Sequence, residues 1–219
     1  MKLSKFLKQL HIPFKETKWY EIALTHSSYS NENIQAENYE TLEFFGDSII
    51  NFLVAEFLFQ QKLKNSQIMS SRKHFLISNW VLAKVAKKLQ ILSLIKVGRT
   101  IKKNNISDAI LADCFEAFVG AIYLDFKNLG FVRQFLHQHL INANWEEASN
   151  WIDYKTLLKE FVQKQIKSPL NLYESEKINE EYHVICTFNK LTAKAIDANK
   201  KVATKKAAKM ILQQLGIIS

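Results

Sequence analysis

The hydrophobic period of this 219-residue chain switches once, from about 3.6 residues to about 2, and the switch dictates two domains rather than one. Leu3, Phe6, Leu7 and Leu10 lie at helical spacing, Pro13 interrupts, and a second short helix is predicted over Trp19 to Tyr29. Two long apolar helices follow at roughly 38–62 and 107–125, with a lysine-bearing amphipathic helix near 68–90 between them. Asn142 to Asp153 is polar and lacks a clear period, which predicts a linker. The helical domain is therefore set at 1–145, the linker at 146–152 and a second domain at 153–219. There Asp153 caps a helix running to Ile166, with Leu157, Leu158, Phe161 and Val162 on one face. Three alternating runs, Leu170 to Tyr173, Tyr182 to Phe188 and Leu191 to Ile196, predict strands, and a last helix over about 200–215 stops at Gly216. The expected fold is multi-domain and mainly α, an all-helical domain followed by an α-β-β-β-α domain.

Charge and composition narrow the function classes. The longest apolar stretch, Phe118 to Leu124, falls far short of the ~20 residues of a membrane span, so no membrane is expected. The lysines at positions 2, 5 and 8 leave no room for the apolar core of a secretion signal. Cys114 and Cys186 lie far apart among apolar neighbours, which predicts reduced core thiols in a cytoplasmic protein. Of 30 basic residues only Arg72, Arg99 and Arg133 are arginine, and the net charge is +9. A lysine-rich surface suits loose phosphate contact better than bidentate reading of bases.

The informative acids sit on helices that are otherwise apolar. Glu40, Glu43 and Asp47 are spaced i, i+3, i+7, which confines them to an arc of ~60°. Asp113 and Glu116 repeat the i, i+3 pattern on the second apolar helix, where Gly120 permits close approach of another helix. An acid pair on one helix is usually solvated or lysine-paired. Two such helices facing each other are different: at ~6 Å and a dielectric of ~20, each pair of charges repels by roughly 3 kcal/mol, and the cluster calls for a cation. Oxygen donors without histidine or cysteine favour Mg²⁺ or Mn²⁺ over Zn²⁺. Glu56 points about 180° from Asp47 and reads as a solvated or salt-bridged acid, and Asp108 as a cap or first-turn acid. His26 reads as a hydrogen-bonded structural residue.

Over Glu40-Thr41-Leu42-Glu43-Phe44-Phe45-Gly46-Asp47, Ala23-Leu24-Thr25-His26-Ser27-Ser28-Tyr29 and Ile110-Leu111-Ala112-Asp113-Cys114-Phe115-Glu116-Ala117, the chain resembles the ribonuclease III family. The tail resembles a double-stranded-RNA-binding domain, through Asp153 to Gln163 and Asn199 to Ala208. The resemblance implies an endoribonuclease that hydrolyses double-stranded RNA by a divalent-metal-activated water. It would leave 5′-phosphate and 3′-hydroxyl ends and act on ribosomal and other structured precursors. Glu43, Asp47, Asp113 and Glu116 would hold Mg²⁺, with Mn²⁺ able to substitute; Asp47, Glu116 and the nearby Glu40 would be the catalytic acids. Thr156, Glu160, Gln163, Lys200, Lys201 and Lys205 would contact RNA. The partners implied are double-stranded RNA and a second copy, in a homodimer formed through the catalytic domain; no DNA substrate is expected.

Residues 190–209 carry a net +6, and Lys200, Lys201 and Lys205 stand at a helix N-terminus, where free N–H groups also attract phosphate. Departures from the family pattern are Thr41 for a basic residue, Phe45 for leucine, and Ser66 where a further glutamate is usual. The stretch Ser175 to Glu181, expected as a loop, is acidic and lacks the family's Gly-Pro and following histidine. The alternative reading is a catalytically weak or inactive relative that binds or scaffolds structured RNA. The presence of all four expected ligands favours the enzyme.

Overall fold

A computed structural model of the chain describes residues 2–63, 66–102, 105–149, 151–165 and 171–218. It divides into two compact units, Met1–Trp151 and Ile152–Ser219. The first holds α1 (Leu3–Gln9), α2 (Lys18–Ala23), α3 (Ser27–Glu32), α4 (Glu40–Gln60), α5 (Ser66–Leu76), α6 (Asn79–Lys88), α7 (Asp108–Phe126), α8 (Leu129–Leu136) and α9 (Asn142–Ser149), with a π-helical turn at His137–Ile141. The Ser107 hydroxyl caps α7 by accepting from the Ile110 N–H, and Lys127 ends it in the left-handed region. Between those ends a broad apolar face from Leu111 to Ile122 is buried, so α7 is the axis against which α2, α4 and α6 pack.

Three boundaries differ from the sequence reading. The helix expected over Trp19 to Tyr29 is two, because Thr25 leaves the helical path to bridge Lys96, and the His26 ring then starts α3 by accepting from the Ser28 N–H. The helix near 68–90 breaks at Ser78, whose hydroxyl caps α6. Residues 142–149, expected to lie largely in a polar linker, form α9. Its polar composition hid a docked helix: Asn144 and Ala148 are buried, and the Arg72 guanidinium stacks on Trp145 while donating to the Ser149 carbonyl at 3.0 Å.

The second unit contains α10 (Tyr154–Gln165), β1 (Tyr173–Ile178), β2 (Glu181–Phe188), β3 (Leu191–Asp197) and α11 (Lys200–Gln214). Its antiparallel sheet has the order β1-β2-β3, with Tyr173 opposite Cys186 and Val184 opposite Ala195. The first strand runs through residues expected as a loop. Glu174 to Lys177 is exposed and polar yet pairs fully with β2, and the reversal is only Asn179-Glu180, both at positive φ as a tight hairpin turn requires. Ile166 and Leu170, predicted to end the helix and start the strand, lie outside the described residues. Ala203, Ala207 and Ala208 face β2 and β3 from α11, and their small size lets the helix lie close to the sheet.

Candidate metal centre and nucleic-acid interface

Helices α4 and α7 cross where glycine faces glycine. A Cβ placed on Gly46 would overlap the Glu116 carbonyl, and one on Gly120 would come within 2.8 Å of the Leu42 carbonyl. Only glycine permits this separation, and it brings the acids of the two helices together. One carboxylate oxygen each from Glu43, Asp113 and Glu116 lies within 4.8 Å of the others, and all three side chains are half-buried. Asp47, expected as a fourth ligand, lies outside this group of three; its Oδ1 accepts from the Asn51 amide at 2.7 Å. Glu40 is exposed at the first turn of α4.

The electrostatics disfavour full ionisation of the group. Burial, reinforced by the charges of Asp47, Asp113 and Glu43, pushes the Glu116 carboxyl up to about 8. Burial also raises Glu43, with Asp113, Glu40 and Asp47 adding to it. Asp113 is raised by burial against the opposing effects of the Tyr39 hydroxyl and His26. Half-buried, mutually repelling oxygen donors without nitrogen or sulfur suit a hard divalent cation.

The basic face lies on the second unit. Lys200 and Lys201 are exposed in the first turn of α11, behind Asn199, whose side chain accepts from the Lys201 N–H at 2.9 Å. Lys205 is half-buried, its ammonium 5.9 Å from the centre of the Tyr154 ring, and burial lowers its pKa. Lys206 is paired with Asp197 at 2.8 Å. On α10, Thr156, Glu160 and Gln163 fall on one face by their i, i+4, i+7 spacing. The Thr156 hydroxyl is held by Asp153 at 2.9 Å.

Comparison with known proteins places both units in known families. A family model described as Ribonuclease-III-like matches residues 16–143. A second, the double-stranded RNA binding motif, matches residues 154–215. Ribonuclease 3 of Phytoplasma mali is 34% identical over 222 residues, spanning 98% of this chain and 97% of its own. The chain belongs to the ribonuclease III family. Ribonuclease 3 of Borreliella afzelii is also 34% identical, over 98% of this chain and 90% of its own. The solved nuclease domain of ribonuclease III from Campylobacter jejuni superposes with a TM-score of 0.59 at 27% identity, covering 64% of this chain and 97% of that one.

Within this ribonuclease III fold, several smaller expectations meet the structure. His26 Nδ1 accepts from the Ser28 N–H at 3.0 Å, a capping role that fits the structural reading. Glu56 pairs with Arg133 at 2.8 Å and Asp108 with Lys87 at 2.6 Å. Cys114 and Cys186 are buried free thiols. Ser66 is exposed as the first residue of α5, and positions 61–72 contain no acid to take the place of the family's glutamate. Two neighbours of the acids escaped the sequence reading. Tyr39 precedes the first acid and reaches Asp113 from the other helix; Asn51 lies one turn beyond Asp47, a spacing that does bring side chains together. Among the described residues, no helix is long and apolar enough to cross a membrane.

Proposed function

We propose that this ribonuclease III is a Mg²⁺-dependent endonuclease that hydrolyses both strands of double-stranded RNA, giving 5′-phosphate and 3′-hydroxyl ends. The observation that carries the reading is the gathering of Glu43, Asp113 and Glu116 at the Gly46–Gly120 crossing, in a chain whose second unit matches an RNA-binding motif. Those three acids, with Asp47 beside them, would hold the ion, and Mn²⁺ would substitute for Mg²⁺. A divalent cation held there would supply activation of water near neutral pH and positive charge for the leaving 3′ oxygen. The residues of this chain do the rest. Glu116, whose ionisation burial disfavours, would hold the cation only as the carboxylate. Asn51 orients Asp47, and Glu40 adds negative potential that favours the cation. The second unit brings the duplex: Thr156, Glu160 and Gln163 face a minor groove, and Lys200, Lys201 and Lys205 meet the phosphates.

A homodimer through the catalytic unit is part of the same proposal. Phe44, Phe52 and Phe59 are 78%, 55% and 77% exposed on α4. With Ser48 they form a stripe within about 80° of arc, next to the stripe of acids. A second copy would bury this stripe and place the two metal centres on one assembly. Processing of ribosomal and other structured precursors in the cytoplasm is the expected setting. The test is incubation of purified protein with a labelled RNA duplex in Mg²⁺ or EDTA, beside a matched single strand and a DNA duplex. Mg²⁺-dependent cutting of the RNA duplex alone is expected. Binding without cutting in either Mg²⁺ or Mn²⁺ would instead support the scaffold reading.

A further inference from the structure

We propose that Tyr39 is a positioning residue for the metal centre, its buried hydroxyl fixing the rotation of the Asp113 carboxylate from across the helix pair. The inference rests on the metal-dependent reading above and assigns a role to a side chain outside the acidic set. Tyr39 is 4% exposed and caps α4, and its N–H donates to the Thr25 carbonyl at 2.9 Å. Its hydroxyl donates to Asp113 Oδ2 on α7 at 3.4 Å, at the long end of hydrogen bonding. The ring cannot swing away, because its neighbour is itself pinned. The His26 ring meets Tyr39 edge-on at 5.6 Å, His26 N–H donates to the Lys96 carbonyl at 2.9 Å, and His26 Nδ1 accepts from Ser28.

The geometry has a physical consequence. Asp113 shares a confined space with Glu43 and Glu116, and repulsion alone would turn its carboxylate outward. A donor held rigidly on one of its oxygens opposes that rotation and keeps the carboxylate turned toward the group. Removing the hydroxyl keeps the ring and its packing but frees the carboxylate, so the cation must bear the ordering itself.

The test compares wild type with Tyr39→Phe by two measurements: the thermal stabilisation produced by added Mg²⁺, and the Mg²⁺ concentration for half-maximal cleavage of an RNA duplex. Loss of one such hydrogen bond predicts about a three- to tenfold rise in half-saturating Mg²⁺ in both, with the cleavage rate at saturating Mg²⁺ near that of wild type. Tyr20→Phe is the control. It deletes an equivalent bond, Tyr20 to Asp125 at 3.0 Å, far along α7, and should lower the melting temperature without moving the Mg²⁺ requirement. Should Tyr39→Phe fail to fold, His26→Asn decides, since it keeps a capping acceptor but removes the ring that pins Tyr39; its half-saturation should rise in the same direction. An unchanged Mg²⁺ requirement in a folded variant overturns the role of Tyr39 and leaves the endonuclease reading intact. A wild type that shows neither Mg²⁺-induced stabilisation nor Mg²⁺-dependent cutting overturns both.

Discussion

In the first unit the acids are half-buried between two helices that touch through Gly46 and Gly120, whereas in the second Lys200 and Lys201 stand in solvent beyond an alanine-packed helix face. Both units concentrate one sign of charge, but the surroundings differ. Burial makes the carboxylates costly to ionise, with Glu116 lifted to about 8, and so selective for a small cation that relieves them. The lysines remain hydrated and bear a loose, salt-sensitive attraction to a polyanion. On the proposed function, chemistry would depend on tight helix apposition, and the lysines' share of substrate capture on charge density. Substitutions in the two units should therefore fail in different ways.

The largest effect is expected where the buried charges are altered. Asp47→Asn or Glu116→Gln should lower cleavage on the order of a thousandfold while leaving duplex binding in a gel-shift assay unchanged. A variant that cuts at the wild-type rate would remove the metal assignment from that residue. Next in size is Gly46→Ala, which adds one methyl group where the Glu116 carbonyl already lies. Overpacking of this kind costs about 1–3 kcal/mol or more, and the helices must part to admit it. Denaturant unfolding should record that loss, and the Mg²⁺ requirement should rise as the acids separate. Unaltered stability would mean that the crossing is looser than its geometry indicates.

Sequence reading reached the outline of both units because both are written in periodicity: long apolar runs for α4 and α7, alternation for β2 and β3. The acids were visible for a related reason, since carboxylates at i, i+3, i+7 on an apolar helix conflict with burial and so stand out. What was hidden depends on tertiary partners. Nothing local marks Tyr39 as a neighbour of Asp113, which is 74 residues away. Residues 142–149 look like a linker until Arg72 and the surface beneath Ala148 are supplied. Strand β1 looks like a loop because every residue after Tyr173 is exposed, and its order comes from pairing with β2. Lys205 illustrates the same limit: sequence places it with Lys200 and Lys201, but in the fold it leans on Tyr154.

For the second unit the expected effect is smaller and of another kind. Lys200→Ala combined with Lys201→Ala should weaken binding to unrelated duplexes about equally, and should reduce the slope of log affinity against log salt by about two at most. Cleavage at saturating RNA should be retained, which separates capture from chemistry. Binding titrations over a salt series measure this directly, and an unchanged slope would mean that the start of α11 does not meet phosphate.

The last effect concerns the metal-free protein and its dependence on pH. Glu116 has a folded-state value of about 8 against an ordinary 4.5, so between those limits the folded chain binds more protons than the unfolded chain. Stability from this group is therefore fully present below about pH 4.5 and is lost as pH rises through about 8. Glu43 and Asp113, also raised, act in the same direction. Melting temperatures of the metal-free protein should fall between about pH 6 and about pH 9. Mg²⁺ should oppose that fall, because the cation takes the place of the proton, and its apparent affinity should increase over the same interval. Glu116→Gln should flatten the metal-free profile. If wild type and Glu116→Gln lose stability in parallel across that range, the cost of ionisation lies outside the crossing of α4 and α7, and the contrast between buried acids and exposed lysines loses its physical basis.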